Sequence, residues 1–96
     1  MKTPHITLAI LQTLKKWNTD PYLINSGNCD SFAQDVCDKV NDAEMIWSDI
    51  HARLIPSKIE NDVGSHCFIR YHRKYYDAEC PQGVNHPLQL PFYNRA

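Results

Sequence analysis

Cysteine, histidine and aspartate can together supply a nucleophile, its base and the group that orients the base. This chain carries one ordered set of them: Cys29, His66 and Asp77. Cys29 follows the turn-forming stretch Asn25-Ser26-Gly27-Asn28 and opens an amphipathic segment. At a helix start, the unpaired backbone N–H groups and the positive end of the helix dipole favour the thiolate, the reactive form of cysteine. The same N–H groups can donate to an oxyanion forming on an attacked carbonyl. A thiol nucleophile further needs a base, and the base needs a partner to hold it in line.

His66 and Asp77 meet that need through strand parity. Residues 66–71 and 75–79 read as two strands of a hairpin, with the polar His72-Arg73-Lys74 between them. Opposed residues on antiparallel strands share a face, and faces alternate along each strand. With an even-length loop the numbers of opposed residues have an odd sum, and His66 and Asp77 sum to 143. A loop over 70–73 or 71–72 sets the two directly opposite. A two-residue turn at 72–73 leaves them diagonal, still within side-chain reach. An odd loop without a bulge separates them. Taken singly, each residue has an ordinary reading as a small buried thiol, a strand histidine or a turn aspartate. Their joint order is what points to chemistry.

The elements that must position these residues follow from hydrophobic period. Ile6, Ile10, Leu14 and Trp17 recur at helical spacing, with Leu11 widening the stripe. Thr3-Pro4 reads as the helix start, and the helix should end at Trp17–Asn18 before Asp20-Pro21. Residues 1–20 therefore form a packing helix, and 21–28 read as a loop. Phe32, Ala33, Val36, Cys37 and Val40 form the buried face of a second helix from Cys29 to Val40–Asn41. Met45-Ile46-Trp47 leans to strand and 51–65 to loop. The tail 81–96 holds Pro81, Pro87 and Pro91 and reads as an irregular wrap. The expectation is one α+β domain over 1–96, with N-terminal helices packed on a small antiparallel sheet.

Composition narrows the function classes. Ten Lys/Arg against eleven Asp/Glu leave a net charge of −1, which removes the electrostatic case for nucleic acid. No apolar run approaches the roughly 20 residues that span a bilayer. The N-terminal stretch, with Gln12, Lys15 and Lys16, lacks a signal peptide's apolar region, so a cytoplasmic protein is expected. Cys29, Cys37, Cys67 and Cys80 include no Cys-x-x-Cys pair, so neither a zinc finger nor a redox motif is indicated. No cofactor or metal is expected, although Cys29, His66, Cys67 and Cys80 are one set that could hold zinc. Cys37 and Cys67 read as core, and Cys80 is left open. Asp35, Asp38, Asp42 and Glu44 read as a solvated face, and Arg70, His72, Arg73 and Lys74 as a solvated hairpin tip.

Gly27-Asn28-Cys29-Asp30-Ser31-Phe32-Ala33, Ser65-His66-Cys67-Phe68-Ile69 and Tyr75-Tyr76-Asp77-Ala78-Glu79 together resemble the papain-like superfamily, especially its transglutaminase-like branch. That branch has a Gly-x-Cys at a helix start, a later His opening one strand and an Asp on the next. The chain is also similar to small bacterial and phage proteins carrying a Tyr-Tyr-Asp-Ala-Glu stretch. The resemblance spans roughly residues 25–80 and implies a papain-like core with Cys29 as nucleophile, His66 as base and Asp77 as orienter. It departs from the pattern in two places. Tyr75-Tyr76 stand where a Trp is common, and no Gln lies a few residues before Cys29 as an oxyanion donor, which leaves Asn25 and Asn28 for that role. Glu79 shares the parity of Asp77 and is an alternative third member.

Three functions fit these residues. The first is a cysteine hydrolase or acyltransferase acting on an amide or isopeptide bond of a protein or peptide substrate. The second is a non-catalytic interaction or inhibitor protein on the same fold. The third is a small zinc-stabilised module.

Overall fold

The computed structural model describes residues 5–48 and 64–94. The expected Thr3-Pro4 helix start and most of the 51–65 loop lie outside them. Helix α1 runs His5–Trp17, α2 Pro21–Asn25 and α3 Cys29–Cys37. Strands β1 (Glu44–Trp47), β2 (Cys67–Tyr71), β3 (Lys74–Asp77) and β4 (Cys80–Val84) follow, then short 3-10 turns at Pro87–Gln89 and Pro91–Asn94. The strands form one antiparallel sheet in the order β1-β2-β3-β4. This is the small α+β arrangement expected from the change of hydrophobic period.

The helices cover one face of the sheet. Ile6 and Ile10 of α1, Ile24 of α2, and Phe32, Ala33 and Val36 of α3 pack against Cys67, Ile69, Tyr76 and Ala78. Leu11 does not join them: it is 46% exposed, on the outer side of α1. α1 stops at Trp17 because Asn18 takes a left-handed conformation (φ 50°), a common way for a helix to end. The expected 21–28 loop in fact begins with α2. Asp20 caps it by accepting from the Tyr22 N–H at 2.8 Å, and Pro21 sits in its first turn, where a missing N–H costs nothing. α3 opens at Cys29 as expected but ends at Cys37, short of Val40. There the chain tightens into i→i−3 bonds, Lys39 to Val36 and Val40 to Cys37, which still bury Val40.

The hairpin turns at His72-Arg73, both with positive φ (49° and 67°), as a tight two-residue connection demands. Neither residue is the glycine or asparagine such a turn favours. The pairs Ile69–Tyr76, Arg70–Tyr75 and Tyr71–Lys74 fix the register. Asp77 then falls opposite Phe68, and His66 lies on the diagonal of the same face.

The C-terminal segment is more ordered than an irregular wrap. β4 adds an edge strand, where Pro81 needs no N–H partner, and the Thr7 hydroxyl of α1 donates to the Pro81 carbonyl at 2.6 Å. β4 bulges against β3 between Tyr75 and Asp77, with Gly83 at φ 81° directly beneath the Tyr76 ring. The chain then crosses the second face of the sheet, where Leu90 closes a core with Ile46, Phe68, Tyr75 and Cys80. Asp35 is half-buried rather than fully solvated. It accepts from the Trp17 indole at 2.7 Å and ties α3 to α1. Among the described residues no helix is long and apolar enough to cross a membrane.

Candidate active site

The three residues singled out by type and parity come from different layers and meet at the end of β2. Cys29 stands in the first turn of α3, on the helical side of the sheet. His66 immediately precedes β2 and is fully buried. Its backbone is clamped by Ser48: the His66 N–H donates to the Ser48 hydroxyl at 2.8 Å, and the Ser48 N–H donates to the His66 carbonyl at 2.9 Å. Asp77 ends β3 and is 2% exposed.

The His66 Nε2 and Asp77 Oδ2 atoms are 3.0 Å apart. An ionised carboxylate can only accept, so Nε2 carries a proton and Nδ1 is left as the basic nitrogen of the neutral ring. Nδ1 is buried and closes no hydrogen bond among the described residues. The second polar group that interacts with this ring is the Cys29 thiol. The other Asp77 oxygen, Oδ1, accepts from the Glu79 N–H at 2.9 Å, so both carboxylate oxygens are committed. Phe92 stacks on the imidazole with ring centroids 3.9 Å apart, and Tyr93 meets it edge-on at 6.0 Å. The ring is therefore held at its edge by a carboxylate and on its face by an aromatic.

The electrostatics separate Cys29 from the other thiols. Burial pushes the Cys29 thiol up. Its interaction with the His66 ring and the Cys67 N–H, which donates to Sγ at 3.4 Å, outweighs that and holds it below the ordinary value of 9.0. The neighbouring Asp30 charge opposes this effect. Burial pushes Cys37 up to about 11 and Cys67 up to about 12, and it raises Cys80 as well. For His66, burial disfavours the imidazolium, but the hydrogen bond and charge of Asp77, with the nearby Cys29 thiol, carry its pKa above 6.5. A lowered thiol and a raised imidazole favour a thiolate–imidazolium pair.

Cys29 opens onto a cleft of about 510 Å³ whose walls include Asn25, Gly27, Trp47, Ser65 and Phe92. The first hydrogen bond of α3 runs from the Phe32 N–H to the Asn28 carbonyl at 3.0 Å, so the N–H groups of residues 29–31 precede the helical ladder. Of the two candidate oxyanion side chains, Asn28 is exposed and makes no capping bond. Asn25 does line the cleft, but its amide donates to Glu79 Oε1 at 2.9 Å. Asp77, rather than Glu79, meets the imidazole. The residues that type and spacing did not single out are Ser48, Trp47 and Phe92. Nothing local marks them, because each acts through a contact distant in sequence.

The set Cys29, His66, Cys67 and Cys80 does not assemble. Cys67 alternates away from His66 into the core beneath the helices, while Cys80 lies in the core on the opposite face. Among the described residues, no group of three or more His, Cys, Asp or Glu side chains could hold a metal ion. All four cysteines are free thiols. Compared with protein-family models, curated proteins and solved structures, the chain matches none of them, so the site's chemistry is read from its own geometry.

Proposed function

We propose that the chain is a cysteine-nucleophile hydrolase or acyltransferase acting on an amide or isopeptide bond of a protein or peptide, built on a papain-like, transglutaminase-like core. The observation that carries this reading is the buried His66–Asp77 contact of 3.0 Å on a ring that also lowers the Cys29 thiol. The Cys29 thiolate attacks the carbonyl carbon, and the negative charge moves to the carbonyl oxygen. Backbone N–H groups at the start of α3 are the donors available to it. The His66 imidazolium gives its proton to the leaving nitrogen, the C–N bond breaks, and a thioester remains on Cys29. Water then attacks the thioester, His66 takes its proton, and the acid leaves as the thiolate is restored. An amine in place of water makes the second half a transamidation. A glutamine side chain as the amide makes the whole cycle a deamidation. The cycle needs no group from outside the chain other than its substrates, and a cytoplasmic setting suits its free thiols.

A binding protein on the same scaffold is the second reading. It is favoured by Tyr22 and Leu23, 53% and 58% exposed on α2 beside the cleft wall.

One experiment separates the two. Wild-type protein and Cys29→Ala are incubated with a cell extract, and new peptide termini, isopeptide losses and deamidated glutamines are mapped by mass spectrometry. The hydrolase reading expects products only with wild type, together with a thioester mass on Cys29 after an acid quench. Identical product maps for the two proteins, with no mass added to Cys29, would overturn it.

A further inference from the structure

Asn25 is a buried polar side chain, 4% exposed, in the wall of the cleft. A buried amide is costly unless its hydrogen-bonding groups are met, and this one reaches across 54 positions of sequence to Glu79. Glu79 belongs to the Ala78-Glu79 turn that joins β3 to β4, closed by the Asp77–Cys80 pair. Its backbone N–H donates to Asp77 Oδ1, the oxygen that does not hold His66. A continuous polar path thus runs from Asn25 through the Glu79 side chain and backbone to Asp77 and His66, with steps of 2.9, 2.9 and 3.0 Å.

We propose that Asn25 and Glu79 are positioning residues: they tie the α2 wall of the cleft to the turn that aims the Asp77 carboxylate, and so set the state of the His66–Cys29 pair. The proposal rests on the cysteine-nucleophile reading above. The physical case lies in how Asp77 is held. Its Oδ2 can face Nε2 only while Oδ1 is pinned, and the pinning N–H is set by where the 78–79 turn sits. The Glu79 side chain anchors that turn to Asn25, at the end of a helix that is itself fixed by its Asp20 cap. Severing the anchor frees the turn, lets the carboxylate rotate and weakens its hold on the imidazole. The Cys29 thiolate then loses its counter-charge. Asn25 also shares the cleft wall with Cys29, so a substrate seated there touches the first member of the path.

The test is the pH dependence of Cys29 alkylation by iodoacetamide, followed by mass spectrometry, in wild type, Glu79→Ala, Glu79→Gln, Asn25→Ala and His66→Ala. Circular dichroism of each variant checks the fold. Glu79→Ala and Asn25→Ala are expected to move the Cys29 profile to higher pH and to slow labelling at pH 7 by about threefold to tenfold, since each pH unit of displacement is a factor of ten in thiolate. Glu79→Gln, whose Oε1 still accepts from Asn25, is expected to restore most of the rate lost in Glu79→Ala. Profiles of folded Glu79→Ala and Asn25→Ala that superimpose on wild type would overturn the proposal. A Glu79→Gln profile displaced as far as that of Glu79→Ala would overturn it too, because charge rather than the hydrogen bond would then be the cause. If Asn25→Ala does not fold, the Glu79 pair carries the test, since that side chain lies outside both cores. A wild-type profile at the ordinary thiol value, unmoved in His66→Ala, would instead sink the Cys–His reading and the proposal with it. A low wild-type profile moved only by His66→Ala would sink the proposal alone.

Discussion

Replacing Asp77 tests whether the carboxylate holds the fold, the chemistry or both, and alanine and asparagine give different answers. Alanine removes both acceptors. It leaves the His66 Nε2–H without its partner at 0% exposure and the Glu79 N–H without its turn bond. Breaking a buried ion pair from one side costs about 3–5 kcal/mol, and the lost turn bond adds about 1 kcal/mol. Against a total stability of about 5–15 kcal/mol for a typical domain, that is a large fraction. At about 4–8 °C per kcal/mol for a domain of this size, the melting temperature should fall by roughly 15–50 °C.

Asparagine keeps the shape, and its Oδ1 can still accept from the Glu79 N–H. Its amide replaces Oδ2 and donates to Nε2, which must then be the unprotonated nitrogen. The ring proton moves to Nδ1, on the side of the thiol, and His66 can no longer accept from Cys29. Asp77→Asn should therefore cost about 1.5–3 kcal/mol, the range for a hydrogen bond to a charged group. Cys29 alkylation at pH 7 should nonetheless fall by about tenfold or more, a displacement of at least one pH unit in the thiol titration. The assay pairs thermal melts with iodoacetamide labelling rates. An Asp77→Asn protein that alkylates at the wild-type rate would refute the reasoning, because Asp77 would then not set the tautomer of His66.

Two further outcomes follow from the same contacts. Phe92→Ala removes the ring stacked on His66 and should lower stability by about 3–5 kcal/mol, as large-to-small changes in cores do; thermal melts measure this, and a nearly neutral result would mean that the C-terminal segment does not seal the site. The pH dependence of stability should carry the sign of a raised histidine. The folded chain holds the His66 proton more tightly than the unfolded chain, so this stabilisation is fully present below pH 6.5, the ordinary histidine value, and is lost as pH rises through the higher folded value. Melting temperature relative to His66→Gln, followed across that window, should decline with rising pH, and a difference that grows instead would contradict the assignment.

Local sequence already contained the ingredients of the site. The period of Ile6 and Ile10, the helix opening at Cys29 and the parity of His66 with Asp77 are short-range properties, set by 3.6-residue and two-residue repeats within single elements. Two-residue periodicity also placed Cys67 opposite in face to His66, which is why a metal set using both does not form. Tertiary structure decided what no repeat encodes. The partners Asn25–Glu79, Trp17–Asp35 and Cys29–Cys67 lie 54, 18 and 38 positions apart, and such contacts depend on how layers stack. Stacking put Leu11 outside, tied the half-buried Asp35 to the Trp17 indole, drew the proline-containing tail into an edge strand, and laid Phe92 on the imidazole. Cys29 and His66 meet for the same reason. One stands on the helical layer and the other enters the sheet, and only at the end of β2, where α3 begins against it, are the layers close enough for a thiol and an imidazole to bias each other's charge.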